Sequence, residues 1–433
     1  MSYRALAHRV DHSSRQLDEP SAILHFCSSL ENLPMRRAAI VSPLRTGVGK
    51  FLGSLSSVPA EDLAAAIIRA VVDKSGVDPD RIDDVSFAQS YANSEAPCIG
   101  RWAALAADLP LEVPGFQQDR RCGGGLQAIA TASMMVQTGA ADVVVAGGVE
   151  SMSNIEYYTT SMRGGSRAGN VTMYDRLDRG RERSQPLERF GPISGMIETA
   201  ENLARDYQIT REQSDSWAAQ SHARATAATG AGKFKDEMIE VNVPQRRGDP
   251  VPFASDEGIR AGVDVDSLSK LRPLMKDGVV TAGNASQQND AAAACLIVAE
   301  DKLEELNLDP MAYFVGWAAA GCHPATMGIG PVPAVQKLFD RTGLGWDNID
   351  LIELNEAFAC QVLAVMKGWG LEDDSNVNVN GSGISLGHPI GATGARIMTS
   401  LLHEMARRDA RYGLETMCVG GGQGIAAIFE RAA

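Results

Sequence analysis

Two stretches of this chain, 266 residues apart, follow the same plan, and that repeat constrains the fold more than any other feature. Val77-Asp78-Pro79-Asp80-Arg81-Ile82-Asp83-Asp84-Val85 resembles Gly343-Leu344-Gly345-Trp346-Asp347-Asn348-Ile349-Asp350-Leu351. At the same offset Asp84 aligns with Asp350, Gln89 with Asn355 and Cys122 with His388. Unrelated segments rarely share one offset at three features. Each stretch then runs helix, strand, glycines, ending in Val143–Gly148 and Met417–Gly422. The repeat predicts two similar α/β halves about a pseudo-twofold axis. Cys122 and His388 would each stand at a helix N-terminus and face each other across it.

The first half reads as a strand from Arg37 stopped by Pro43, a helix over Ala60–Ser75 stopped by Gly76, and a strand over Asp83–Gln89. A helix over Cys122–Thr138, apolar nearly all round and so buried, leads into a valine-rich strand over Asp142–Ala146. The alternation predicts parallel pairing. At 433 residues the chain has room for two or three domains. Met1–Pro34 is polar without a clear period and reads as a disordered tail, residues 1–35, or as an upstream start. An insertion, roughly Ser153–Gly283, separates the halves. It holds a helix opened by the capping-box pair Thr210 and Gln213. It also holds Arg163, Arg167, Arg176, Arg179, Arg181, Arg183 and Arg189, interleaved with acids. That run is either a solvated face or a contact for an anionic ligand or subunit.

A net charge of −14 disfavours non-specific binding to nucleic acid or anionic lipid. No apolar run approaches the ~20 residues of a membrane span. The seven cysteines are odd in number and form no C-x-x-C pair, which removes the spacing of zinc ribbons and thioredoxin-like sites and fits a reduced compartment. Cys98, Cys295 and Cys360 read as small buried hydrophobes.

The chemistry lies in Asp119–Gly125, Gly387–Gly391 and Cys418–Gly424, each setting a sulfur or an imidazole beside glycines, with Asn355–Ala359 as a fourth, polar segment. A thiol at a helix N-terminus is expected to have a lowered pKa. The same backbone N–H groups can hold an oxyanion. His388 is placed to take the Cys122 proton, though alone it would read as a structural histidine on a turn. Cys418, at a strand end before three glycines, is a second thiol able to move a proton; alone it would read as a core cysteine. Together they point to chemistry on a thioester.

These residues resemble the thiolase family, over Arg36–Ala433. The carrying motifs are Arg45–Phe51, Gly147–Ser153, Asn284–Ser286, Gly328–Ala334, Asn355–Ala359, Gly387–Gly394 and Cys418–Gly424. The resemblance implies a five-layered αβαβα core of two pseudo-symmetric halves with an inserted loop domain. Residues 36–152 and 284–309 would form the N-terminal half, 153–283 a loop domain for CoA and oligomer contacts, and 310–433 the C-terminal half. It implies an acyl-enzyme on Cys122 activated by His388, acid/base work by Cys418, an Asn355-held water, and an oxyanion donor at Gly420. Arg260, Ser267, Ser286, Met196, Ala357 and Phe358 match CoA-contacting positions. CoA would be a substrate, with no cofactor and no metal, and the assembly a homodimer or homotetramer. Cytoplasm is the expected location, with a peroxisomal alternative from Arg9-Val10 and Gln16-Leu17. Departures at Asp119, Gly124, Gly47, Gln287, Ala291 and Gly195 leave the accepted acyl chain open. Asp119 would oppose a Cys122 thiolate if it pointed inward. The competing readings are a ketoacyl synthase-like condensing enzyme and a non-catalytic thiolase-like acyl-CoA-binding protein.

Overall fold

The fold is built on two copies of one sheet. In this computed structural model, which describes residues 35–432, the first copy holds β1 (Ala38–Thr46), β2 (Asp84–Ala88), β3 (Phe116–Gln118), β4 (Val143–Ser151) and β5 (Asn289–Ala299), ordered β3-β2-β4-β5-β1. The second holds β6 (Ala312–Gly321), β7 (Leu351–Leu354), β8 (Tyr412–Val419) and β9 (Gln423–Arg431), ordered β7-β8-β9-β6, with Val377 bridging Ile352 where the first copy has β3. The two join edge to edge where β1 pairs antiparallel with β6. The tail assigned to residues 1–35, and the Arg9–Leu17 pattern within it, lie outside the described residues apart from Met35.

Helices complete the layers. The helices of eight or more residues are α1 (Ala60–Ser75), α2 (Ile99–Ala106), α3 (Gly124–Gln137), α4 (Met196–Asp206), α5 (Arg211–Gly230), α6 (Pro331–Thr342), α7 (Ala359–Trp369) and α8 (Thr393–Arg408). One apolar cluster packs α1 and α2 on the outer face of the first sheet, with Leu63, Ile67 and Val71 against Val85 and Val145. A second fills the space between the sheets around α3 and α8. A third packs α6 and α7 on the outer face of the second sheet. This is the expected αβαβα order. Helix α1 shows the local logic: Glu61 and Asp62 face the positive end of its dipole, Lys74 the negative end, and Gly76 closes it at φ 71°.

The inner helices set the site. A Cβ on Gly125 would stand 2.7 Å from the Ala395 backbone nitrogen, and one on Gly394 would stand 2.2 Å from that of Leu126. Only glycines let the N-terminal turns of α3 and α8 touch backbone to backbone. The segments before them, carrying Cys122 and His388, are thereby brought together. A Cβ on Gly148 would likewise fall 2.1 Å from the Gly391 carbonyl oxygen, so β4 supports the His388 turn directly. Gly148→Ala should push that turn away, costing ~1–3 kcal/mol of stability and lowering turnover; thermal melting and kcat measured on one preparation check both.

Three expectations are corrected. The sheets are mixed, because β4–β5 and β1–β5 pair antiparallel and only β2–β4 and β2–β3 are parallel in the first copy. Pro43 does not stop β1: the register shifts between Val41 and Leu44, with Ser42 at φ 48°, and a bulge tolerates a residue without an N–H. Cys98 is exposed at the start of α2, held at φ 59° with its thiol on the Gly115 carbonyl, while Cys295 and Cys360 are buried as expected. The capping box at Thr210 and Gln213 forms as expected.

Candidate active site

A cavity of about 680 Å³ opens over the junction of the two halves. Cys122, His388, Cys418 and Gly420 all line it. Cys122 lies in a tight turn, Arg121–Gly123, that feeds α3. Ile425 and Val419 press on Gly123, where a Cβ would meet their methyl groups at 2.7 and 3.0 Å, so the nucleophile's turn sits on the strands of the other half. The backbone N–H groups of Gly420 and of Cys122 itself lie near enough to the Cys122 sulfur to favour its charged form. Gly420 lies just beyond β8, where Gly421 and Gly422 take φ 90° and 89°, a region that favours glycine.

His388 is buried, and its backbone N–H donates to Asn289 Oδ1 at 2.9 Å. Its Nδ1 lies 2.7 Å from Thr393 Oγ1 and 3.4 Å from Asn355 Nδ2. Burial, then the Arg396 and Arg181 guanidiniums, push the imidazole pKa down to about 3. The ring is neutral at any physiological pH. The tautomer that leaves Nε2 free to accept a proton is the one whose Nδ1–H donates to Thr393.

The expected low thiol pKa is not what the free protein shows. Burial is the largest influence on Cys122 and raises its pKa; the Gly420 N–H, Arg121, its own N–H and Arg181 only oppose that rise. A helix N-terminus is worth ~0.3–1 kcal/mol, too little to offset desolvation here. Thiol and imidazole therefore rest as a neutral pair. Asp119 does not oppose the thiolate: it is exposed and accepts the Arg121 N–H at 2.6 Å. Cys418 is fully buried, with its pKa well above the ordinary value from burial and then from Cys122 and Cys322 nearby.

Two buried carboxylates hold the frame. Glu150 accepts the N–H groups of Ser90, Tyr91 and Gly391, tying β4 to the turn after His388; burial outweighs those bonds and lifts it to about 7. Glu356 accepts from Trp217 Nε1, Ser221 Oγ, Asn378 Nδ2 and the Ile384 N–H, and fixes the loop carrying Asn355. Glu356→Gln places a donor among four donors. It is expected to cost ~1–3 kcal/mol, read as a lower denaturation midpoint.

Comparison with known proteins settles the ancestry of this arrangement. Residues 38–301 match the family model "Thiolase, N-terminal domain", and residues 308–431 match "Thiolase, C-terminal domain". The chain belongs to the thiolase family. The acetyl-CoA acetyltransferase of Pseudomonas aeruginosa is 44% identical over 400 residues, covering 92% of this chain and 100% of that protein. Beta-ketothiolase BktB of Cupriavidus necator is 44% identical over 399 residues, covering 92% and 99%. Among solved structures, Bacillus anthracis acetyl-CoA acetyltransferase superposes with a TM-score of 0.89 at 41% identity over 93% of this chain and 100% of that one. Human mitochondrial 3-ketoacyl-CoA thiolase gives 0.87 at 37%, over 92% and 100%. This thiolase is an acyltransferase, and neither the synthase-like nor the non-catalytic reading is favoured.

Of the positions expected at CoA, Met196, Ser286, Ala357 and Phe358 line the cavity. Arg260 and Ser267 do not; both are exposed on the insertion, and the Ser267 hydroxyl donates to the Asp264 carbonyl in a capping box. Gly195, also in the lining, sits at φ 142°, a conformation that strains any side chain. Thr393 and Glu150 were missed as site residues. Thr393 lies within Gly387–Gly394 and Glu150 within Gly147–Ser153, but nothing in a sequence says which polar neighbour turns inward.

Proposed function

We propose that this thiolase moves an acyl group between CoA thioesters through an acyl-enzyme on Cys122. The observation that carries the reading is the convergence of Cys122, His388, Cys418 and Gly420 on one cavity. In thiolysis the Cys122 sulfur attacks the 3-keto carbonyl of a 3-ketoacyl-CoA and its proton passes to His388 Nε2. The bond between C2 and C3 breaks, Cys418 protonates the departing acetyl-CoA carbanion, and the acyl group stays on sulfur. CoA then enters, gives its thiol proton to the Cys418 thiolate and attacks the acyl-enzyme. Acyl-CoA leaves, and the Cys122 sulfur regains its proton from His388. Claisen condensation of acetyl-CoA is the reverse path.

The N–H groups of Cys122 and Gly420 form one oxyanion hole. His388 and a water on Asn355 form the other; Asn355 Oδ1 is buried and has no partner among the described residues. CoA runs along Met196, Ser286, Ala357 and Phe358, with Arg260 and Ser267 meeting its nucleotide end at the surface. A metal or redox cofactor has no part in these steps. Because the resting pair is neutral, the rate of acylation should show no inflection near pH 6.5. A stopped-flow pH profile checks this, and a histidine-like limb there would count against the neutral pair.

The proposed division at 152/153, 283/284 and 309/310 is compatible with β4 ending at Ser151, β5 starting at Asn289 and β6 starting at Ala312. We further propose a cytoplasmic homodimer or homotetramer. No helix among the described residues is long and apolar enough to cross a membrane. The edge strand β3 and the exposed Leu105, Leu111 and Met134 offer an association face. Sedimentation at micromolar concentration should give two or four chains; a monomer would refute the assembly. The decisive activity test is release of acetyl-CoA from acetoacetyl-CoA plus CoA, which a condensing synthase should not show.

A further inference from the structure

The cavity has two apolar walls. Met196, Met327, Ala357, Phe358 and Cys418 belong to one cluster. Tyr91, Met152, Leu177 and Ile390 belong to another. The CoA positions lie on the first wall. The second contributes Tyr91, Met152 and Ile390 to the lining with Leu177 behind them, and is the wall those positions leave for an acyl chain.

Two guanidiniums enter that second region. Arg121 and Arg181 both line the cavity, and both lie close enough to the Cys122 sulfur and the Tyr91 ring to act on their charge. The stem of Arg121 crosses the oxyanion glycine, its Cδ 3.2 Å from where a Gly420 Cβ would stand. The acids nearby are committed or turned to water. Glu150 holds three N–H groups, Asp119 is exposed on the Arg121 N–H, and Glu182 is exposed. Asp178 pairs with Arg181 at 3.3 Å, but its side chain is 69% exposed. Arg121 has no side-chain hydrogen bond or ion pair among the described residues. The Tyr91 hydroxyl donates to the Leu177 carbonyl at 3.2 Å, so its hydrogen is already used.

Arg121 is half-buried, and an aliphatic acyl chain packed on it would displace water from its guanidinium without offering a partner, which is unfavourable. A carboxylate offers both arginines charge-assisted, fork-shaped bonds. We propose that the acyl chain this thiolase transfers ends in a carboxylate, received by Arg121 and Arg181. The inference rests on the acyl-transfer reading above and names its substrate class: short 3-ketoacyl-CoA thioesters of dicarboxylic acids.

The test compares thiolysis of 3-oxoadipyl-CoA and 3-oxohexanoyl-CoA, the same six-carbon 3-keto chain ending in a carboxylate or a methyl, with acetoacetyl-CoA as reference. The wild-type kcat/KM should favour the carboxylate by about tenfold or more. Arg121→Met and Arg181→Met should bring that ratio toward one, and Arg121→Lys should retain part of it. Loss of help to the Cys122 thiolate alone would slow both substrates equally and leave the ratio intact, which would overturn the proposal. A wild-type ratio at or below one would overturn it too, whether or not the variants fold. Failure to turn over any of the three thioesters would instead strike the underlying acyl-transfer reading.

Discussion

Cys122→Ala is expected to lower kcat for thiolysis by five orders of magnitude or so, the scale seen when a covalent nucleophile is removed. No neighbouring group can replace it. Cys418 is the other thiol in the cavity lining, but it is fully buried and its thiol is held protonated by burial. Intact-protein mass spectrometry after mixing with acetyl-CoA should show no added acetyl group on the variant. Calorimetric binding of CoA should persist, because Met196, Ser286, Ala357 and Phe358 keep their places. A variant that still acquires the acetyl mass would assign the nucleophile elsewhere.

Cys418→Ala separates the half-reactions. With acetyl-CoA as donor the leaving group is a thiolate, which departs without a strong acid, so the acetyl-enzyme should form and accumulate. Breaking or making the bond between C2 and C3 instead needs a group to exchange a proton with the acetyl carbon, and the thiol placed there is gone. Loss of a positioned acid/base group costs ~10²–10⁴ in rate. Rapid-quench measurement with acetyl-CoA should therefore show close to one acetyl per chain, while thiolysis of acetoacetyl-CoA falls by that factor. Unchanged thiolysis would remove Cys418 from proton transfer. The substitution itself should be tolerated, since β9 pairs with β8 along its whole length, Cys418 included, and a methyl group fits where the sulfur was.

The halves were legible because the offset joining Asp84 to Asp350 and Cys122 to His388 survives in the sequence and maps onto matching positions of the two sheets. Cys418 was legible only through its glycines, whose positive φ angles the backbone needs. The pairing direction was not legible. The segment Asn289–Ala299 is alanine-rich and buried throughout, and such a run does not distinguish a core strand from a core helix, so the antiparallel β5 went unread. The pKa of Cys122 was misjudged for a related reason. Sequence reveals a helix N-terminus, but the desolvation that outweighs it comes from residues of the other half. Arg181 was visible as one arginine among seven; which of them turns toward the cavity depends on the path of the insertion.

The docking of Gly125 against Gly394 has a consequence for how the enzyme is made. A ribosome releases the first half well before the second, and during that interval the nascent chain carries a cysteine with neither its imidazole nor its Gly420 amide. Such a chain has an ordinary thiol without the base or the oxyanion donor that speed acyl transfer. Enzymatic reactivity arises only as the last strands close, so a stalled or truncated product lacks the catalytic site.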